Sequence, residues 1–268
     1  MIVGYLAAVL MGLVLGIIGG GGSILTVPIL VYLMGVEADV ATGYSLLIVG
    51  ATAAFGAIRY FKQGLVDVKA AIIFAVPSII AVYLSRAYLM PALPDSFELG
   101  SITLTKNMAI MVLFAMLMLT SALMMLKKAY LSSKTPEQQQ LDQPAKAPNV
   151  PLIALEGAVV GVITGILGAG GGFLIIPALV LFMGMPMKQA VGASLFIIAL
   201  KSLLGFIGDI QAGIELDMQL IPLMLVATFL GMAASTKLAD KLEGVVLQKF
   251  FAFFTLVIAI FIIAKELA

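Results

Sequence analysis

Two stretches of this chain read almost alike: GIIGGGGSILTVP, from Gly16 to Pro28, and GILGAGGGFLIIP, from Gly165 to Pro177, 149 positions further on. Each sets a cluster of glycines inside an apolar run. A helix interior tolerates glycine poorly, at roughly 1 kcal/mol per residue relative to alanine. Any fold for this sequence must therefore use broken helix at two related places. The likeness extends past the glycines. Between Gly12 and Gly64, 20 of 53 positions match those 149 residues later, without a gap. Pro28 falls on Pro177, ATGYSL (Ala41–Leu46) on AVGASL (Ala190–Leu195), and Gly56 and Gly64 on Gly205 and Gly213. So many glycines, a proline and a serine in one register read as an internal duplication.

Of the 268 residues, 62% are hydrophobic and 11% charged, against about 25% charged in soluble domains; the mean hydropathy is +1.18. The apolar runs have helix length and do not alternate, so the expected class is an all-α integral membrane protein rather than a barrel. The formal net charge of +1 gives no reason to expect nucleic acid or another polyanion as a partner. The chain has neither cysteine nor histidine. That removes disulfides, thiol relays, the usual zinc sites and histidine acid–base chemistry, and no cofactor is called for. The opening MIVGYLAAVL has no basic residue before its apolar run and reads as a retained membrane segment.

Residues 1–126 form the first membrane repeat and 151–268 the second, joined by a polar, Gln- and Pro-rich linker, 127–150. The apolar pieces that follow the glycines are 12 or 13 residues long. At about 1.5 Å per residue they fall short of a hydrocarbon core of about 30 Å. Lysine and arginine placement orients the units. Loop 59–69 carries Arg59, Lys62 and Lys69, whereas its equivalent, 209–217, carries only acids; loop 91–103 has no basic residue, whereas 236–249 has three lysines. Basic loops lie in the cytoplasm, so the two units are expected to be inverted. Placing 59–69, 127–150, 185–189 and 236–249 inside collects 11 of the 15 basic residues and leaves both termini outside. Each unit is then expected to be a glycine-tipped re-entrant hairpin plus about three transmembrane helices.

A hairpin tip inside a membrane survives only when buried in protein or lining a polar cavity. Glycine permits the turn, and the helix that leaves the tip begins with free N–H groups and a positive end, which favours anions. Two such tips meeting at the midplane are the layout of a secondary-transporter site. The candidate substrate residues are Gly19, Gly20, Gly21, Gly22 and Ser23 in the first tip, and Gly168, Gly170, Gly171 and Gly172 in the second. Ser45 and Ser194, at matching places in the next helix, are hydroxyl donors on one reading and bond their own backbone on the other. Lys201 lies about eight residues, roughly 12 Å, from the helix end at Asp209. A charge so deep faces a cavity or a partner. It reads as a substrate-attracting or gating cation, or else pairs with a carboxylate such as Glu156 or stretches to the surface. Arg86 is nearer a helix end and reads as a snorkelling anchor. Gly12, Gly16, Gly161 and Gly165 form small-x3-small patterns of close helix packing.

The paired GIIGGGGSILTVPIL and GILGAGGGFLIIPALV, each followed by ATGYSL or AVGASL, resemble the TauE/SafE sulfite exporter family over both repeats. The resemblance implies a carrier in the cytoplasmic membrane of a prokaryote, exporting small sulfur-containing anions such as sulfite, thiosulfate or sulfoacetate. It marks Gly19–Ser23, Gly168–Gly172, Ser45 and Ser194. Lysine at 201 matches Thr52 in the first unit, so the site is chemically asymmetric. The partners expected are the anion and membrane lipid, with a coupling proton or other ion and a homodimer left open. An anion channel, or a carrier of a non-sulfur organic acid, is the alternative. A membrane enzyme is disfavoured: Gly192–Ser194 is followed by Leu195 rather than the glycine of a rhomboid-type motif, and no histidine is present to act as base.

Overall fold

The computed structural model describes residues 2–94, 96–99, 102–131, 150–167, 171–239 and 242–267. The first unit holds α1 (Ile2–Ile18), α2 (Gly21–Pro28), α3 (Ala38–Lys62), α4 (Val68–Leu84), a closing turn α5 (Met90–Ala92) and α6 (Lys106–Leu131). The second holds α7 (Val150–Leu167), α8 (Gly172–Pro177), α9 (Met187–Gln211), α10 (Leu220–Ala239) and α11 (Gly244–Leu267). The architecture is all-α apart from one antiparallel hairpin, β1 (Ser96–Leu99) with β2 (Ile102–Thr105), in the loop between α5 and α6. Helix α6 runs on through Lys127 to Leu131, into the polar stretch read as linker; 132–149 lie outside the described residues. Among the described residues, six helical stretches are long and apolar enough to cross a membrane, within α3, α4–α5, α6, α7, α9 and α11.

The duplication is visible in local structure. Pro28 and Pro177 both sit inside a helix, and both are followed by a π-helical turn, Ile29–Leu33 and Ala178–Phe182. Proline has no N–H to give to the fourth preceding carbonyl. In the second unit that carbonyl belongs to Phe173, and Ser121 Oγ on α6 donates to it at 2.6 Å. Farther along the same rod, Lys128 Nζ donates to the Val180 carbonyl at 2.6 Å. The helices after the basic and acidic loops also start alike. Asp67 accepts from the Ala70 N–H, and Asp217 from those of Leu220 and Gln219. The Leu220 and then the Gln219 bond hold the Asp217 carboxyl below the usual carboxylate range.

Neighbouring residues give the directions of the helices. Gly22 lies against Met11 and Leu15, and Gly4 against Met34, so α2 and its π-turn return alongside α1 as a hairpin. Gly12 faces Thr228 and Gly16 faces Ser235, so α1 runs parallel to α10; Gly157, Gly161 and Gly165 face Phe74, Ser78 and Ser85, so α7 runs parallel to α4. Each unit thus lends its first helix to the other unit's fourth. The duplicated helices α3 and α9 lie side by side and antiparallel: Gly43 is near Asp209, Gly50 near Leu203 and Gly56 near Leu195. They form the centre, with 72% of their apolar windows buried against 33–44% for α4, α6, α7 and α11. Side chains such as Ile72, Val76, Ile80, Leu223, Val226 and Leu230 stay exposed on outer helix faces, the apolar surface that lipid covers.

The four small-x3-small glycines all pack against a neighbouring helix, where a Cβ would strike backbone or side-chain atoms. Gly231 does the same from the α10 side, facing the Val9 carbonyl and the Leu13 N–H. Gly231→Val should therefore cost about 1–3 kcal/mol through overpacking, seen as a lower unfolding temperature in detergent. An unchanged temperature would contradict this backbone contact.

Candidate functional site

Helix α1 ends at Ile18, and the chain turns at Gly19 (φ +76°) and Gly20 (φ −155°) before α2 begins at Gly21. The left-handed φ at Gly19 is open to glycine at no steric cost. Carbonyls at the end of a helix lack intrahelical partners, and here side chains supply them. Tyr60 OH donates to the Gly16 carbonyl at 3.1 Å, Ser194 Oγ to Gly19 at 3.0 Å, and Ser23 Oγ to Gly20 at 2.7 Å. Ser194 thus bonds backbone, but that of the other unit's tip rather than its own helix. Ser23 is engaged with its own turn.

In the second tip Gly168 and Gly170 lie outside the described residues. Gly171 (φ +78°) caps α8, its carbonyl accepting from the Leu174 and Ile175 N–H groups at 2.9 and 2.8 Å. Gly172 meets Gly20 backbone to backbone: a Cβ on Gly172 would fall on the Gly20 Cα, and one on Gly20 would lie 2.6 Å from the Gly172 carbonyl oxygen. The two tips touch, and only glycine fits at the contact.

Lys201, 0% exposed, lies against the second tip. Its Nζ donates to Thr164 Oγ1 at 2.7 Å and occupies the space that a Cβ at Gly171 would need. No carboxylate among the described residues pairs with it, so neither the Glu156 pairing nor the reach to the surface is what the fold adopts. The matching place in the first unit is different. Thr52 bonds the Ile48 carbonyl at 2.7 Å and Thr228 Oγ1 at 2.8 Å, and Leu15 stands where the second unit has Thr164. Ser45 Oγ is buried without a hydrogen-bond partner among the described residues. Helices α2 and α8 both start at this contact, so their positive ends converge near the ammonium. Thr164 was not singled out in the sequence; its signal is its i+7 spacing from Gly157 and its place one turn before the glycines.

A cavity of about 400 Å³ opens at the end of the bundle that carries Arg59 and Lys62. Gly16, Gly56, Tyr60 and Ser235 form its inner wall, immediately behind the first tip. Arg86 is not a snorkelling anchor. It is 3% exposed and forms an ion pair with Asp209, with further bonds from Nη1 to Thr42 Oγ1 at 2.8 Å and to the Gly165 carbonyl at 3.2 Å. The π-helical turn Ser85–Leu89 aims it inward, which hydropathy does not reveal.

The family model for the sulfite exporter TauE/SafE matches residues 4–262, nearly the whole chain. The chain belongs to the TauE/SafE family. It is similar to a probable membrane transporter protein of Xylella fastidiosa (strain 9a5c), with 28% identity over 97% of this chain and 93% of that one. It is also similar to the probable membrane transporter proteins YunE of Bacillus subtilis (29% identity, 78% and 79% covered) and MJ0441 of Methanocaldococcus jannaschii (28%, 77% and 73%). No solved structure matches the chain significantly. As a TauE/SafE protein with multiple apolar helices, it is a multi-pass membrane transporter.

The contact between tips can be tested at one atom. Gly172→Ala should insert and purify but lose transport in vesicles roughly tenfold or more, the equivalent of about 1.4 kcal/mol. Near-normal transport by the folded variant would show that the tips need not touch.

Proposed function

We propose that this TauE/SafE protein is a secondary carrier, most simply an exporter, of small sulfur-containing anions such as sulfite, thiosulfate or sulfoacetate, bound where the two glycine tips meet beside Lys201. The observation that carries the reading is the lone buried ammonium against Gly171, with Thr164 as its hydrogen-bond partner. A lysine at such depth costs about 3 kcal/mol on insertion scales. An arriving anion recovers part of that cost, so charge and binding are coupled at this place. The converging positive ends of α2 and α8 act in the same sense, and the unpartnered Ser45 hydroxyl offers a further donor.

The orientation that goes with this function puts the Arg59–Lys62 end and the 127–150 linker in the cytoplasm and both termini outside, following the basic loops. The cavity then opens to the cytoplasm, where a positive mouth draws an anion in. The membrane is the cytoplasmic membrane of a prokaryote, in keeping with the bacterial and archaeal relatives.

Anion affinity by calorimetry on purified wild type, Lys201→Met and Lys201→Arg tests the reading. Lys201→Met should fold and bind sulfite or its relatives at least roughly tenfold more weakly, about 1.4 kcal/mol. Lys201→Arg should retain more affinity, because it keeps the charge, while its planar fork alters the shape of the site. Equal affinity for Met and wild type would remove the lysine from the site. Unsaturable, purely conductive flux in liposomes would replace the carrier with a channel.

A further inference from the structure

The two ends of the bundle are built from duplicated residues yet are closed by different side chains. At the Arg59 end, Gly16, Gly56, Tyr60 and Ser235 wall the cavity. Their counterparts at the other end are Gly165, Gly205, Asp209 and Ser85: the first three lie 149 positions on, and Ser85 faces Gly165 as Ser235 faces Gly16. There Val82 packs on Gly205 as Met232 packs on Gly56, and the difference is Arg86, which enters between α3, α7 and α9. Even the backbone partner is matched. Gly16 takes its side-chain hydrogen bond from Tyr60, and Gly165 takes its own from Arg86.

We propose that the Arg86–Asp209 pair is the latch that shuts the end of the transport path opposite the Arg59 cavity, and that breaking it opens a matching vestibule there. The purpose of such a latch rests on the carrier reading above. Arg86 holds four elements at once: its own turn after α4, Thr42 on α3, the Gly165 carbonyl on α7 and Asp209 on α9. All three contacts must separate for water to reach Gly165. A permanent staple would satisfy both carboxylate oxygens, since an incompletely satisfied buried pair is costly. Here both guanidinium contacts go to Asp209 Oδ1, and Oδ2 is buried without a partner among the described residues. The closed state is therefore held by a pair that gains from release into water. A second layer lies just outside it: Tyr83 OH donates to Gln211 Oε1, and Tyr44 OH donates to the Glu215 carbonyl at 2.7 Å while accepting from the Asp217 N–H at 3.0 Å.

The cysteine-free chain makes the test direct. Gln63→Cys and Ser85→Cys are made singly and labelled in oriented vesicles with a charged, membrane-impermeant thiosulfonate added to either face. Gln63→Cys, exposed at the cavity, should react from the Arg59 face. Ser85→Cys should react slowly, and only from the other face. The labelling rate follows the open fraction, so adding Arg86→Gln with Asp209→Asn should raise it roughly tenfold or more. Neutralising both partners leaves no lone buried charge. Thr42→Val, which removes one Arg86 contact in a volume-conserving change, should give a smaller rise in the same direction. Unchanged Ser85→Cys labelling in the double variant overturns the proposal, and if that variant does not fold, unchanged labelling in Thr42→Val does so. No anion enters this measurement, so it stands or falls separately from the Lys201 binding result.

Discussion

Backbone polar groups inside a membrane must find partners within the protein, and in this chain that demand is concentrated at the two glycine-rich breaks. Each turn and each internal proline frees carbonyls that a continuous helix would occupy. The freed or loosened carbonyls of Gly19, Gly165, Phe173 and Val180 are met by Ser194, Arg86, Ser121 and Lys128, each reaching from the other unit. The two breaks therefore cannot be satisfied separately. Their tips touch at Gly20 and Gly172 because nothing bulkier than a hydrogen fits there. The reciprocal pairing of α1 with α10 and α7 with α4 follows from the same interlock.

Backbone symmetry and side-chain asymmetry have different consequences. The matched prolines, π-turns and positive-φ glycines give the two units related backbones, and the side chains set on them differ. Lys201 stands opposite Thr52 and Thr164 opposite Leu15, so the buried amine lies at the second tip alone. Asp209 stands opposite Tyr60, so an ion pair forms at one end and a cavity with a phenol in its wall at the other. The duplicated scaffold sets the frame, and a few unmatched residues make its two halves chemically different.

Much of this was legible beforehand because it rests on spacing. The glycine register, the matched prolines and the short apolar pieces point to paired broken helices, and hydropathy gives the all-α membrane class. The partners of the polar groups were not legible, because they come from helices distant in sequence. Arg86 reads as a surface anchor by its distance from a helix end, yet the π-turn at Ser85–Leu89 rotates it into the bundle. Lys201 stands out as costly, but its partner Thr164 is marked only by its i+7 spacing from Gly157 and its place one turn before the glycines. Ser45 and Ser194 read as equivalents, and the structure separates them into one hydroxyl without a partner among the described residues and one bonded to Gly19.

The central claim is that the two units oppose each other across the membrane and so bring their tips together from opposite faces. Gln63 and Ala212 occupy the same place in the duplicated turns after α3 and α9, and both are exposed. Single cysteines at these two positions, labelled in sealed vesicles with an impermeant maleimide, read the orientation of each unit directly. The account predicts that Gln63→Cys reacts only from the cytoplasmic side and Ala212→Cys only from the outside. Labelling of both from the same side would contradict it.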